Sequence, residues 1–370
     1  VWGHQFGLEV PNYFASDGEP RVETPSFRRS NAWEATARET RAVRGTVGIN
    51  EVHNFGKFRI SGPGARAWLD RIMAGHIPRP GRVSLTPMLS PKGRLIGDFT
   101  VSCLSEQTFH LTASYGAQDY HQRWFLQHED PTATIENISD KLTGFQIAGP
   151  RARDLLQACT RQEISGMKFM DLRRMTIGQA ECIVQRISYT GDLGYEIYTD
   201  PMSQRALWRI LWDAGRPLGL LPFGMRAMMS LRLDKFFGSW LSEFSPDYTA
   251  AETGLDRFIS FKKNTDFIGR AAAEAERETP PPRTLCAFEV DALDADVTAY
   301  EPVFIDGKVA GFCTSGGYSH YAEKSIAQAL IPREHAQPGL TVQIEILGSL
   351  RDAKLITEPL FDTDGTRMRG

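Results

Sequence analysis

A short internal repeat is the feature that most limits how this chain can fold. Residues 58–66, FRISGPGAR, recur as residues 145–153, FQIAGPRAR. Each copy is predicted to form a short strand, a Gly-Pro break and an amphipathic helix, which covers 67–73 in the first copy and 154–159 in the second. Two copies of one strand–helix unit predict two similar halves within a single α+β body.

The glycines of the first copy do not indicate a nucleotide site. Gly62 and Gly64 match the beginning of a dinucleotide-binding loop, but the third glycine and the acidic residue about 20 positions further on are missing. The chain also has no convincing flavin-binding fingerprint. The repeat is therefore interpreted as a structural unit of the fold and not as a binding site.

The remaining segments divide the chain further. The proline-rich run at 276–282 is the clearest linker, and short alternating strands with glycine turns after it predict a small antiparallel barrel or sandwich at 283–363. Before the linker, hydrophobic periodicity predicts two strands joined by a Pro-Lys-Gly turn at 85–104, a strand at 109–114, and helices at 117–127, 202–214 and 224–236.

Composition excludes several classes of function. A formal net charge of −3 over 370 residues gives no footprint for nucleic acid or for an anionic membrane, and no apolar run approaches the roughly 20 residues of a membrane span. The five cysteines are odd in number and far apart, which is typical of reduced core residues in an intracellular protein. The eight histidines show no metal-binding spacing, so no metal is predicted.

The segment 187–201, ISYTGDLGYEIYTDP, is a candidate binding element. A β-rich run that ends at Tyr189 meets a turn with two glycines, and a second alternating run carries Glu196. An acid and an aromatic ring that face one cavity suit a planar, hydrogen-bonding heterocycle. An ordinary β-hairpin with a surface glutamate explains the segment equally well.

Asp98 is the candidate catalytic carboxylate. It interrupts an apolar strand, where burial of an unpaired carboxylate destabilises the fold. A carboxylate at such a position therefore indicates a functional role. Thr100 lies two residues further on and therefore shares its strand face. The alternative is an aspartate that points to solvent from an edge strand.

Five segments together resemble the tetrahydrofolate-binding aminomethyltransferase family, typified by the T-protein of the glycine cleavage system. The resemblance extends from about residue 27 to 361. It is closer to the C-terminal folate module of dimethylglycine and sarcosine dehydrogenases and oxidases, because Met228 and Met229 replace the Arg-Asp pair of glycine cleavage members. The five segments are MLSPKGRLIGDFTV, SYTGDLGYEI, SLRLDKFFGSWLSEFSPDYTAAETGL, DFIGR and GKVAGFCTSGGYS.

The resemblance implies a fold and three units. The fold class is α+β, a T-protein-like folate-binding fold with duplicated strand–helix halves and a C-terminal antiparallel β-barrel. Residues 1–25 are expected to be a hinge-like segment similar to the one that follows a flavin module in fused enzymes. Residues 26–275 are expected to form the folate-binding domain, and 283–363 the barrel.

The resemblance also implies roles for site residues. Asp98 would steer or accept the proton that tetrahydrofolate loses as its amine attacks a one-carbon unit. Glu196 would accept hydrogen bonds from the 2-amino and N3–H groups of the pterin. Arg226 and Arg232 are left open between the folate glutamate tail and nearby acids. The other expected folate contacts are Thr100, Tyr189, Tyr198, Ser114 and Tyr115.

The implied activity is tetrahydrofolate-dependent one-carbon transfer coupled to oxidative N-demethylation of a methylated amine of the dimethylglycine or sarcosine type. The product would be 5,10-methylenetetrahydrofolate. FAD would reside only in a fused or associated flavoprotein, which would supply the iminium. Such a protein is expected in the cytoplasm, or in the mitochondrial matrix of a eukaryote.

Two alternatives remain open. A redox-independent methyltransferase would demethylate a sulfonium or methyl ether and yield 5-methyltetrahydrofolate. A folate-binding regulatory or repair-associated protein would have the fold without transfer activity. Such relatives often carry a Lys-Gly-Cys-Tyr-type motif, and this chain has Asp266 where the cysteine would be, which favours an enzyme.

Overall fold

The computed structural model describes all 370 residues. Nine α-helices, α1 to α9, are Trp33–Gly45, Ala65–Ile72, Gln118–Gln127, Ala152–Cys159, Gln204–Gly215, Met225–Leu233, Ala250–Thr253, Arg270–Glu278 and Thr366–Arg369. Nineteen strands, β1 to β19, are Trp2–Gln5, Leu8–Pro11, Val47–Glu51, Phe55–Ser61, Arg82–Leu89, Leu95–Ser105, Thr108–Ser114, Thr134–Asn137, Thr143–Ala148, Leu172–Ile177, Ala180–Gln185, Gly194–Thr199, Leu220–Pro222, Arg283–Val290, Pro302–Ile305, Lys308–Ser319, Lys324–Pro332, Thr341–Ile346 and Ser349–Ile356. No helix is both long enough and apolar enough to cross a membrane.

The two copies of the repeat lie in different sheets. The first copy is β4–α2 in a five-stranded sheet of order β5-β6-β7-β4-β8, and the second is β9–α4 in a six-stranded sheet of order β10-β11-β12-β9-β3-β13. In each copy the glycine between strand and helix has a positive φ, +119° at Gly62 and +128° at Gly149. A side chain there would meet a backbone carbonyl, of Thr132 or Val43 respectively, so both turns require glycine.

Alternation along the strands divides each sheet into an apolar and a polar face. In the six-stranded sheet, Tyr195 and Ile197 of β12 join a core with helices α4 and α5. In the five-stranded sheet, Phe99 and Val101 of β6 join a separate core with helices α2 and α3. The intervening residues, among them Glu196 and Asp98, therefore face away from both cores.

The polar faces of the two sheets are turned toward each other. The charge of Lys57 in β4 acts on Glu196 in β12, and the Thr112 hydroxyl of β7 lies beside the phenol of Tyr198. Backbone hydrogen bonds of 2.8–2.9 Å join the sheets at one side, from Val83 N–H to the Met170 carbonyl and from Leu172 N–H to the Gly81 carbonyl. The molecule thus encloses a polar layer between its two sheets.

The six C-terminal strands form a closed antiparallel barrel of order β14-β17-β16-β15-β18-β19, with its own apolar core. The barrel packs against α6 through strand β16. Ser230 donates a hydrogen bond to the Tyr318 carbonyl at 2.6 Å, and Ser319 donates to Asp234, which is paired with Arg44 at 2.6 Å. These contacts attach the barrel beside the segment that follows α6.

Candidate active site

The floor of the polar layer is a row of polar side chains across four strands of the six-stranded sheet. Glu196 of β12 lies opposite Gln185 of β11 on one side and Gln146 of β9 on the other, and Gln146 lies opposite Asn50 of β3. All four side chains are buried. Directly paired residues share a sheet face, so the row is continuous.

Glu196 is the acidic centre of this row. Its side chain is 6% exposed, and Tyr198 donates a hydrogen bond of 2.7 Å to its carboxylate. Burial raises the pKa of Glu196 to about 7, with partial opposition from the Tyr198 hydrogen bond and the charge of Lys57. Burial also raises the pKa of Tyr198 well above its usual range, so the phenol stays protonated and donates to the carboxylate.

The two glutamines beside Glu196 have unused acceptors. The side-chain oxygens of Gln146 and Gln185 are buried without a hydrogen-bond partner in the protein. Buried amide oxygens are normally satisfied. A carboxylate between two free acceptors suits a ligand edge that carries several N–H donors, which is the chemistry of a pterin ring.

The opposite wall of the layer comes from the five-stranded sheet. Thr100 of β6, Thr112 of β7 and Lys57 of β4 are cross-strand neighbours. The Lys57 ammonium donates to the carbonyls of His53 and Phe55 at 3.1 and 2.9 Å, and burial lowers its pKa to about 8. Lys57 therefore supplies a buried cation on the wall that faces Glu196.

Asp98 lies one step, about 7 Å, along β6 from the Thr100 row and on the same face. It is half-buried, and its carboxylate makes no hydrogen bond to another residue, although protein surrounds it and burial raises its pKa to about 7. β6 pairs on both sides, with β5 and β7, so the edge-strand alternative is wrong. Asp98 therefore lies on an interior strand of the sheet and faces the polar layer.

The structure corrects the β-rich run expected at 187–189. Residues 187–189 form no strand, because β11 ends at Gln185 and the chain leaves the sheet before β12 begins at Gly194. Tyr189 instead packs against the segment after α6, where its hydroxyl donates to the Gly238 carbonyl at 2.7 Å and its ring stacks on Phe237 with centroids 6.1 Å apart. Tertiary packing thus decides where the Tyr189 ring lies.

Tyr189 and Asp98 share one neighbourhood. Burial raises the pKa of the Tyr189 phenol to about 12, and the charge of Asp98 contributes to the increase, while Arg232 opposes it. Tyr189 is half-buried, as Asp98 is. Asp98 is therefore near enough to Tyr189 for its charge to influence the pKa of the phenol.

Two expected contacts lie at the margin. Ser114 is the last residue of β7, on the face of Thr112 and opposite Phe55. Tyr115 begins a 3-10 turn outside the sheet. Both are half-buried, and neither side chain hydrogen-bonds to another residue. The structure does not bring them to Glu196.

The two arginines have different surroundings. Arg226 is paired with Glu23 at 2.7 Å and its side chain is 54% exposed. Arg232 is fully buried, and its guanidinium is paired with Glu243 at 3.1 Å. Only Arg232 lies near Tyr189.

Sequence reasoning missed most of the polar layer. No sequence-based expectation includes Lys57, Thr112, Gln146 or Gln185, although each is a polar residue at an alternate position of an apolar strand, as in FGKFRI and FQIA. That pattern is the signal that could have found them, since a buried polar side chain in a core strand needs a partner.

Family models match nearly the whole chain. The model described as "GCVT N-terminal domain" matches residues 1–263, and "Glycine cleavage T-protein C-terminal barrel domain" matches residues 283–362. The chain belongs to the glycine cleavage T-protein family. The T-protein fold with a C-terminal antiparallel barrel, which the sequence predicted, is confirmed for this chain. The family consists of folate-dependent aminomethyltransferases.

Curated relatives come from two branches of the family. Human mitochondrial dimethylglycine dehydrogenase is 35% identical over 372 residues, which cover 99% of this chain and 43% of that protein. Bacillus subtilis aminomethyltransferase is 29% identical over 327 residues, which cover 88% of this chain and 90% of that protein. The chain thus spans less than half the length of the dehydrogenase, and the resemblance to both branches is confirmed.

A solved structure supports the fold independently. The aminomethyltransferase T of the glycine cleavage system from Bartonella henselae superposes with a TM-score of 0.85, over 98% of this chain and 94% of that one. The sequence identity between the two is 18%, so this likeness concerns the fold alone.

Proposed function

We propose that this T-protein family member captures the one-carbon unit of a methylated amine on tetrahydrofolate and forms 5,10-methylenetetrahydrofolate. The observation that carries the proposal is a pair of carboxylates that face one polar layer, Glu196 between unsatisfied amides of one sheet and Asp98 on the facing side of the other. The first carboxylate suits the recognition of a pterin edge, and the second suits proton transfer.

Each residue of the polar layer has a separate role in binding tetrahydrofolate. Glu196 accepts from the N–H donors of the ring edge, while Tyr198 holds the carboxylate and the charge of Lys57 partly opposes the rise of its pKa. Tetrahydrofolate, when bound, supplies the amine that captures the one-carbon unit. Tyr189 covers a ring face from its anchor on Gly238, with Thr100 on the wall between Asp98 and Thr112. Ser114 and Tyr115 contribute at the margin.

Asp98 accepts the proton that the attacking amine releases. Because burial raises its pKa to about 7, the carboxylate is matched to a base that works near neutral pH. It can pass the proton to the demethylated amine, which leaves as its bond to the one-carbon unit breaks. The enclosing sheets limit access of water to the layer, which protects a hydrolysable one-carbon unit. No further titratable group of the layer is needed for this step.

Formation of an iminium from an N-methyl amine removes two electrons, so the proposal requires an oxidant. We assign it to a flavoprotein module or subunit that carries FAD, because flavins take up hydride equivalents from amines. Human dimethylglycine dehydrogenase is more than twice as long as this chain, since the match covers 43% of the dehydrogenase. The cytoplasm, or the mitochondrial matrix of a eukaryote, is the proposed compartment.

The proposal includes the division into a hinge-like segment at 1–25, a folate-binding domain at 26–275 and a barrel domain at 283–363. Helix α8 continues to Glu278, so the extended part of the linker is limited to 279–282. Near the N-terminus, the strands β1 and β2 form a hairpin, and the Arg226 N–H donates to the Asn12 carbonyl at 3.0 Å.

Reconstitution tests this organisation. The purified chain incubated with tetrahydrofolate and dimethylglycine or sarcosine is expected to give no product, because nothing in the mixture oxidises the amine. Addition of a flavoprotein that oxidises dimethylglycine should give 5,10-methylenetetrahydrofolate with little free formaldehyde, as measured by liquid chromatography and mass spectrometry.

Two controls make the result decisive. The flavoprotein without this chain should release more formaldehyde, and the Asp98→Asn chain should restore that release. Formation of 5-methyltetrahydrofolate by the chain alone, without a flavoprotein, would exclude the proposed reaction and support the methyltransferase alternative.

Tetrahydrofolate affinity should depend on pH through Glu196. The carboxylate must be ionised to accept two N–H donors, and its pKa is about 7 in the free protein. Affinity is therefore expected to be highest above pH 7 and to fall about tenfold per pH unit well below it, as the linkage of binding to one proton requires. Lys57, which faces Glu196, keeps its charge below about pH 8.

Calorimetric titration between pH 5 and 8 measures this dependence. Asp98 titrates in the same range, so each titration is repeated with Glu196→Gln, in which only the Glu196 contribution is removed. If tetrahydrofolate affinity depends on pH as steeply in Glu196→Gln as in the parent, the assignment of the pH dependence to Glu196 is wrong.

A further inference from the structure

Glu243 connects the barrel to the segment that holds Tyr189. Its carboxylate is fully buried. One oxygen accepts hydrogen bonds from the hydroxyls of Thr314, at 2.8 Å, and Ser315, both in barrel strand β16. The other oxygen accepts from Arg232 at 3.1 Å and from the backbone N–H of Ser239 at 2.9 Å. Four donors from three parts of the fold therefore meet at one side chain.

A β-bulge in the barrel makes this arrangement possible. The register between β16 and β17 shifts at Thr314, since Cys313 pairs with Ala329 and Ser315 pairs with Gln328. Successive residues of a regular strand point to opposite faces, whereas a bulge can re-aim one of them. The bulge thus lets the consecutive hydroxyls of Thr314 and Ser315 reach the same carboxylate.

The path from Glu243 to Tyr189 is short. Arg232 donates to the Phe237 carbonyl at 2.8 Å as well as to Glu243, and Glu243 holds Ser239 through its N–H. Gly238 lies between these two held residues, and its carbonyl accepts the hydrogen bond of Tyr189. A side chain at Gly238 would collide with the Phe244 ring, so the backbone position that Tyr189 uses is closely constrained.

We propose that Glu243 is a positioning residue through which the barrel hydroxyls of Thr314 and Ser315 fix the Gly238 carbonyl, and with it Tyr189, in the folate-binding orientation. The inference rests on the proposed function and extends it to a role for the barrel. Glu243 itself touches no ligand in this scheme. It acts by holding Ser239 directly and by orienting Arg232, which holds Phe237.

The direct change, Glu243→Gln, is a poor test because it leaves the buried Arg232 guanidinium without a counter-ion, which strongly destabilises folded proteins. The barrel variant Thr314→Val/Ser315→Ala removes only the two hydroxyls and leaves the ion pair in place. It is expected to raise the dissociation constant for tetrahydrofolate about tenfold, a typical effect of losing hydrogen bonds to a charged group.

A double-mutant cycle separates positioning from general weakening. Tyr189→Phe removes the hydrogen bond to Gly238 and keeps the ring. If the barrel acts through that hydrogen bond, the barrel variant should change affinity much less in the Tyr189→Phe background than in the parent. If the barrel variant raises the dissociation constant by the same factor in the Tyr189→Phe background as in the parent, the inference is overturned. Ser325→Ala, which removes a buried barrel hydroxyl without a hydrogen-bond partner, is the matched control and should leave affinity unchanged.

Hydrogen exchange tests the link without folate. Amides of residues 236–245 should exchange faster in the barrel variant than in the parent or in Ser325→Ala, under conditions where all three are folded by circular dichroism. Unchanged exchange would overturn the inference. If exchange increases but the parent fails to bind tetrahydrofolate, the barrel–loop link stands and the proposed function fails.

Discussion

Replacement of Glu196 by alanine is expected to weaken tetrahydrofolate binding by about 2–4 kcal/mol, since a charge-assisted double hydrogen bond is lost and the donors of the ring edge remain buried without acceptors. This corresponds to an increase of about 30- to 1,000-fold in the dissociation constant. Isothermal titration calorimetry of the purified chain measures it directly.

The control for this variant is Glu181→Ala. Glu181 lies on the neighbouring strand β11 but is exposed, so its loss should leave affinity within experimental error. Circular dichroism should show that both variants are folded, because removal of a buried carboxylate also removes its desolvation cost. Equal affinity of Glu196→Ala and the parent would show that the pterin lies elsewhere.

Asp98→Asn is expected to slow one-carbon capture about 100-fold or more while leaving folding and folate affinity nearly unchanged. Asparagine has nearly the shape of aspartate but cannot accept the proton from the attacking amine. The rate of 5,10-methylenetetrahydrofolate formation is measured with the flavoprotein partner in excess, so that capture limits turnover.

Asp119→Asn is the matched control, because Asp119 is an exposed aspartate on α3. It should not change the rate. The affinity of Asp98→Asn for tetrahydrofolate, measured in the same preparation, separates a loss of chemistry from a loss of binding. An unchanged rate of capture in Asp98→Asn would remove this carboxylate from the mechanism.

Several parts of the fold could be predicted from local patterns. The repeat predicted equivalent strand–helix units, and they occur as β4–α2 and β9–α4, one in each sheet. The helices predicted at 117–127 and 202–214 are present as Gln118–Gln127 and Gln204–Gly215. These elements could be predicted because hydrophobic periodicity and Gly-Pro breaks are properties of a few consecutive residues.

The segment around Tyr189 shows where such patterns are insufficient. A β-rich run before a glycine turn predicted a strand at 187–189, but these residues leave the sheet and Tyr189 binds the Gly238 carbonyl, 49 positions away in sequence. Intrinsic β preference is weak compared with packing. The anchor of the ring therefore could not be found from its own segment.

The sequence by itself determined which side chains share a strand face. Asp98 with Thr100, and Glu196 with Tyr198, alternate with apolar residues, and a period of two leaves no choice of face once one face is buried. Only the tertiary structure decided that the two polar faces oppose each other and that Lys57 and Thr112 of one sheet meet Glu196 and Tyr198 of the other. The physical reason is range: alternation is a property of neighbouring residues, whereas the apposition of two sheets depends on two separate apolar cores that form on their outer faces.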